Sequence, residues 1–518
     1  MPKKSYYSKT SVWLSAILLE SIGLSVLIVF VLAIEPLFGL MAILGICIFT
    51  AVIIHRPLMI DFYLTVLGLT LSGYAFLGRG FAYFGKYPLY VGEVVLALGC
   101  IIFAMRPNAH ILRSRITWLL LLVMLIGTLG TVPNLGTYGI DAMRDAVLWG
   151  YGLFALLTAS FLMRIKNLWY VVFAYQRWIP YLLLWIPIGM VLYHMANDII
   201  PRWPASDIPI LNPKSGDIAV HLAGGLSFLT LGLYRFCRNE KRSIAEIKVW
   251  VLWCMFLIGF ITILSDRAAI LTVLSTSLII FVLRPSIHWA KPVILVFFLF
   301  VVFYSFDLKI SFRDDRSISA EAVIETVKSI FNFTGFSQYD GPRQWRIEWW
   351  NKILDYTIFG ENFWTGKGYG INLANDDGFQ VFDFFQDQPL RSPHNSHLTF
   401  LARGGVPGFL AWLTLQGLFG MSLFRAYRKA VRSDRHDWAT LNLWVLAYWF
   451  AFMVNATFDV FLEGPQGGIW FWCLFGFGIA LMEAQRNGYT EPLVSCNHQS
   501  GATTEGNASS QPLPATWL

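Results

Sequence analysis

Charge is scarce in this chain: Asp, Glu, Lys and Arg make up 14% of 518 residues, against 56% hydrophobic. One soluble core cannot hide that much apolar surface, which excludes a single soluble globule and points to a polytopic membrane protein. Cysteine is scarce as well. Cys47, Cys100, Cys237, Cys254, Cys473 and Cys496 show no metal-site spacing, and none falls in the long polar segment 307–397. A disulfide framework or zinc knot in that segment is therefore excluded. The apolar runs lack a clear mid-membrane carboxylate series, and no inverted or fixed-period repeat is evident, so a proton-coupled transporter has little to stand on. The net charge of +7 sits largely in short turns, where it reads as topology signal and headgroup contact; nucleic acid is not implied.

What is abundant is apolar length. Runs able to cross about 30 Å of hydrocarbon fall near residues 12–33, 36–54, 58–77, 89–105, 116–132, 145–163, 178–195, 218–235, 248–264, 268–283, 290–306, 398–420, 439–458 and 466–482. The expected fold is all-α and polytopic, with about 12–14 transmembrane helices and one large, partly helical loop. With the N-terminus inside, the inner turns collect most of the Lys and Arg, while the short outer loops hold only Arg79, Lys86, Arg144, Arg202, Lys214 and Arg267. That asymmetry puts residues 307–397 on the non-cytoplasmic face and both termini in the cytoplasm. The expected parts are N-terminal spans over 1–306, the large loop over 307–397, C-terminal spans over 398–483, and a polar disordered tail over 484–518.

A polar segment of this size among short connections is usually functional. It has a helical apolar spacing over 320–331 and another over 345–356, a flexible turn Gly366-Lys-Gly-Tyr-Gly370, and a polar stretch over 375–391 expected to be mobile. Three residues stand out chemically. Arg346, in Trp345-Arg-Ile-Glu-Trp-Trp350, offers a bidentate fork for an anionic headgroup beside interfacial tryptophans, with an ion pair to Glu348 as the plainer reading and Arg343 as a nearby substitute. Arg267 follows Ser265-Asp266 at the outer end of two spans, where it is either an anion ligand or half of a simple Asp–Arg turn. His394, in Ser392-Pro393-His394-Asn395-Ser396-His397, is placed to accept a proton near neutral pH, with Asn395 orienting it, or Asn395 or Ser396 merely capping the next helix. A His394–His397 metal pair lacks a third ligand, and the acid pairs Asp314-Asp315 and Asp376-Asp377 read as loop surface, so no metal or other cofactor is expected.

Taken together, Ser265-Asp-Arg267, Trp345-Arg-Ile-Glu-Trp-Trp350, the turn from Phe359-Gly360 to Gly366-Lys-Gly-Tyr-Gly370, and Pro393-His394-Asn395 followed by Gly404-Gly-Val-Pro-Gly408 resemble the bacterial O-antigen ligase and O-antigen polymerase family of membrane glycosyltransferases. The resemblance covers about residues 260–425. Its members often have Ser-Arg where this chain has Ser265-Asp266-Arg267, and many of them run straight from one glycine to the next where this chain inserts Glu361-Asn-Phe-Trp-Thr365. The resemblance implies glycan transfer from an undecaprenyl-diphosphate carrier to a glycan or lipid-linked acceptor at the outer side of the bacterial inner membrane. His394, Arg267 and Arg346 would be catalytic, and Arg343, Asn395, Trp350 and Gly368 would contact substrate. The rival class is a polysaccharide or lipid-linked-sugar transporter, which needs the spans but not the arginine–histidine set.

Overall fold

The computed structural model describes residues 59–86, 89–163, 165–235, 249–264, 266–284, 310–311, 317–318, 340–380 and 390–487. The chain divides into two compact units, residues 1–69 and 70–518; the chemistry below lies within the second.

The described chain is all-α and polytopic. Its main helices are α1 Met59–Leu77, α2 Val91–Met105, α3 Arg115–Thr131, α4 Ile140–Gly150, α5 Gly152–Leu162, α6 Ile165–Met195, α7 Ser215–Thr230, α8 Val249–Ile261, α9 Arg267–Leu283, α10 Asp340–Ile358, α11 Leu373–Asp377, α12 Ser396–Arg432, α13 His436–Ala456 and α14 Pro465–Arg486. Among described residues, six helices are long and apolar enough to cross a membrane, and the bent pair α4–α5 makes up to seven. Three shorter apolar helices, α2, α8 and α9, join them. Eleven of the apolar runs read from the sequence thus coincide with helices. The runs at 12–33, 36–54 and 290–306, the helical spacing at 320–331, and Ser265 fall outside the described residues.

Aromatic stacking and small residues set the packing. α14 packs on α5 and α13, α12 on α13 and α3, and α7 against α9 and α13. Phe419 and Phe475 stack at 3.8 Å and Phe400 and Trp412 at 4.1 Å, contacts that add to plain area burial. The outward faces are apolar as well: Leu122, Leu125 and Leu129 of α3 are exposed, as lipid solvation demands. The loop helix α10, read from the sequence over 345–356, spans Asp340–Ile358 and packs on α12. Within the stretch expected to be mobile, residues 375–377 belong to α11, whose first turn Asn372 caps by accepting from Ala374 N and Asn375 N. Residues 381–389 of that stretch are outside the described set.

The longest helix carries a break. In α12 Gly405 has φ 63, a left-handed conformation open to glycine, and the freed backbone groups turn to the neighbouring loop. Val406 N donates to Phe363 O at 2.7 Å, Lys367 N to Ala402 O at 2.7 Å, and Gly368 N to Arg403 O at 3.1 Å. A Cβ on Gly405 would stand 2.5 Å from Phe363 O. Gly368, expected to contact substrate, therefore belongs to the strap that closes this break.

Candidate functional site

His394 sits between the loop helix and the spans. Its own backbone is in the left-handed region, φ 54, uncommon for a side chain of that size. The conformation is held from both sides. Trp350 Nε1 donates to Pro393 O at 2.9 Å, and Asn395 caps α12, its Oδ1 accepting from Leu398 N at 3.1 Å. Asn395 thus takes the capping role, and Trp350 pins the histidine loop to α10. The Trp345 ring lies edge-on to the imidazole, 6.3 Å between centroids. His397 is fully engaged: Trp412 Nε1 donates to its Nδ1 at 3.1 Å, and its Nε2 faces Met453 O at 3.0 Å. A metal shared by His394 and His397 would have to break one of these bonds.

Arg346 projects from the same face of α10. Its Nη1 lies 3.5 Å from Phe458 O, while Glu348 instead accepts from Gln344 on the exposed side at 2.9 Å. Two residues apart on a helix, Arg346 and Glu348 point in different directions, so the local ion pair does not form. Burial lowers the Arg346 pKa, opposed by Asp459 and Asp266 and reinforced by Arg267.

Arg267 opens α9. Asp266 does not pair off as its turn partner; it is the N-cap, accepting from Ala268 N at 2.9 Å and Ala269 N at 3.4 Å. An acidic cap at a helix N-terminus satisfies orphan donors and suits the dipole.

The hub of the cluster is Asp459, in the turn after α13. Lys214, just before α7, bonds its Oδ1, Val460 N donates to the same oxygen at 2.8 Å, and Arg79 Nη2 stands 3.8 Å away. Burial alone would raise this carboxyl, but Lys214 and Arg79 hold it below the usual carboxylate range. Arg79 also faces Asp217, Nε to Oδ2 3.7 Å, and its Nε and Nη2 make no hydrogen bond. Local structure puts it there: Gly78, at φ 64, turns the chain after α1 so that Arg79 N bonds Asn212 O and Asn212 N bonds Leu77 O.

His394 feels the whole assembly. Burial and then Arg346 push its pKa down to about 4, with Asp459 opposing and Lys214 and Arg79 adding. The expected titration near neutrality is therefore displaced: the ring is a neutral acceptor at pH 7. Among the described residues, Arg79, Lys214 and Arg346 act on Asp459 and the neutral His394 imidazole, with Asp217 and Asp266 beside them and Arg267 acting on Arg346, an arrangement rich in fixed cations and suited to an anion. Arg343 lies one helical turn before Arg346 on α10.

A second network braces this one. Arg403, 2% exposed inside α12, pairs with Asp145 Oδ2 of α4 at 2.8 Å. Arg391 Nη2 and Gly370 N reach the same oxygen at 3.0 and 2.9 Å. Glu463, bonded by Thr399 Oγ1 at 2.9 Å, is pushed up to about 7 by burial, against the pull of Arg403. The pair Asp376-Asp377, weighed as metal ligands, instead binds Lys367, and Trp349 Nε1 donates to Asp377 Oδ2 at 2.7 Å.

Sequence reading placed Arg267, Arg346 and His394 in one group, and the structure brings them together. Spacing alone makes Arg79 and Lys214 topology markers and Asp459 a residue near a span end, and it gives Asp145, Arg391 and Arg403 no role. Arg403 had a signal: an arginine inside an apolar run is a candidate by default.

Residues 250–413 match the family described as O-antigen ligase. That stretch contains Arg267, Arg346, His394 and Arg403; Arg79, Asp145, Lys214 and Asp459 lie outside it. A search of curated proteins returned no match.

Proposed function

We propose that this chain, which matches the O-antigen ligase family over residues 250–413, is a glycosyltransferase-like membrane enzyme acting on a lipid-linked glycan and an acceptor. The donor is a glycan on undecaprenyl diphosphate, and the acceptor is a hydroxyl of another glycan or of a lipid-linked saccharide. Arg267 and Arg346 bind the diphosphate, joined by Arg79 and Lys214, whose carboxylate partners hold them in place between turnovers. The acceptor oxygen attacks the anomeric carbon in line, the bond from that carbon to the phosphate oxygen breaks, and His394 takes the hydroxyl proton.

A diphosphate leaving group needs its growing charge neutralised more than it needs an acid, and fixed guanidinium groups in a partly buried site do that without reorganising. With guanidinium and ammonium groups to neutralise the diphosphate, the proposal requires no divalent ion. A single displacement inverts the anomeric centre. His394, neutral at pH 7 and only weakly basic, accepts the proton as the hydroxyl acidifies along the new bond. The large loop faces the outer side of the inner membrane, where lipid-linked glycans for surface or exported polysaccharides are joined.

The single observation carrying this reading is that Arg346 lies within electrostatic reach of His394, of Asp459 and of Arg267. The test is release of free polyprenyl diphosphate from a lipid diphosphate-linked oligosaccharide by the purified protein in EDTA, compared with His394→Ala. Release by the wild type and its loss in a normally inserted mutant are expected. Equal release by both removes His394 from the chemistry, and binding without release by either turns the reading toward transport.

A further inference from the structure

The inserted Glu361-Asn-Phe-Trp-Thr365 has no part in the chemistry above, yet it is rigidly built. Asn362 N bonds Tyr356 O at 3.0 Å, Gly366 N bonds Asn362 O at 3.0 Å, and Phe363 O receives Val406 N at the break in α12. A well-ordered polar surface turn would be expected to show polar side chains. This one shows Phe359 at 82% exposure and Trp364 at 74%, with Ile358 beside them at 40%.

The height of that turn can be read from α12. Below the break the helix is apolar from Val406 to Phe424 and then basic, with Arg425, Arg428, Lys429 and Arg432. At 1.5 Å per residue the apolar part is about 28 Å long, close to the roughly 30 Å of bilayer hydrocarbon. Its outward stripe, Leu410, Leu413, Leu418 and Met421, is exposed and recurs at helical spacing, as a lipid-facing stripe does. Hydrocarbon therefore ends at the level of Gly405, where the inserted turn is tied.

Exposed apolar surface on the neighbouring helix also reaches the strap. Tyr369 packs at Gly130 of α3, and Leu129 and Val132 flank that contact at 65% and 57% exposure.

We propose that the 358–364 turn is an interfacial anchor, its Phe359 and Trp364 rings inserted among the phospholipids of the outer leaflet at the boundary between headgroups and acyl chains. The occupant is lipid, because the exposed rings sit on the turn that is tied through Phe363 O to Val406, the first residue of the membrane-length apolar part of α12. Trp and Phe at that depth gain from burying an apolar ring while the indole N–H stays among polar headgroups. Through the bond from Val406 to Phe363, the anchor fixes the height of the α10–α12 loop. Ser396, next to the histidine loop, stands about 13 Å along the helix from Gly405. This inference does not depend on the chemistry proposed above.

The test is photocrosslinking of the full chain in nanodiscs of phosphatidylcholine and phosphatidylglycerol carrying a radiolabelled acyl chain. Benzoylphenylalanine is introduced singly at Phe359, Trp364, Leu410 or Asn375. Label transferred to protein at 359 and 364 in yields comparable to 410, and at least about fivefold above 375, is expected. Yields at 359 and 364 no higher than at 375 overturn the anchor, as do protein–protein adducts in place of lipid adducts. The readout needs only inserted protein, so a failure of the glycosyl-transfer reading leaves it standing.

Discussion

A lysine at position 346 would keep the charge of Arg346 and lose its planar fork, so Arg346→Lys separates neutralisation from bidentate grip. Transfer in that variant is expected to fall at least about tenfold, the lower end of what a charge-assisted pair contributes, with insertion unchanged; steady-state donor turnover measures it. Full activity would leave Arg346 a structural role. His394 supplies a pH prediction with a definite sign. Its pKa is lowered to about 4, so the neutral, proton-accepting form persists well below the ordinary histidine value of about 6.5. The acidic limb of kcat/KM is expected near pH 4 rather than near 6.5, with His394 contributing no decline between about pH 7 and pH 5. An inflection near 6.5 would mean that the ring is hydrated and unburied in the working enzyme. The same shift favours the folded state above the unfolded value and loses that contribution as pH falls through the folded one.

Among the elements, α12 does two jobs on either side of one glycine. Its upper part carries Asn395, Ser396 and His397, and its lower part crosses the membrane; at Gly405 the ladder is handed to the strap of 363–368. Gly405→Ala places a Cβ against Phe363 O, 2.5 Å away, at a backbone angle that favours glycine. A loss of about 1–3 kcal/mol is expected, seen as a lower unfolding temperature together with faster proteolysis between residues 359 and 370. Unchanged proteolysis would show that the strap is held without the break. α10 was legible from its apolar spacing because tryptophans recur on one side of it. The break was not, since Gly404-Gly405 in an apolar run gives no sign of which backbone groups will receive its orphaned donors.

For the molecule as a whole, Asp145 is the bolt between distant stretches of chain. It receives Arg391, Arg403 and the Gly370 amide, joining α4 to the strap and to α12. Asp145→Ala leaves Arg403 buried without its counter-charge, and removing one partner of a buried pair costs about 3–5 kcal/mol. A marked fall in thermal stability in detergent is expected, and Asp145→Ala combined with Arg403→Met should recover part of it. No recovery would mean that Arg391 and the Gly370 amide depend on Asp145 more than Arg403 does.

Apolar run lengths and the scarcity of charge were enough to establish an all-α membrane protein and the positions of eleven helices, because crossing hydrocarbon imposes a length and an internally bonded backbone that any reader of the chain can recognise. Short motifs were enough to group Arg267, Arg346 and His394. Folding alone brought Arg79, Lys214 and Asp459 to them, made Asp266 a cap, chose capping over orienting for Asn395, and turned Asp376-Asp377 into a lock on Lys367. Those roles depend on distances between residues far apart in sequence, and the electrostatics of a charge follow from its burial and neighbours in space, which linear spacing does not encode.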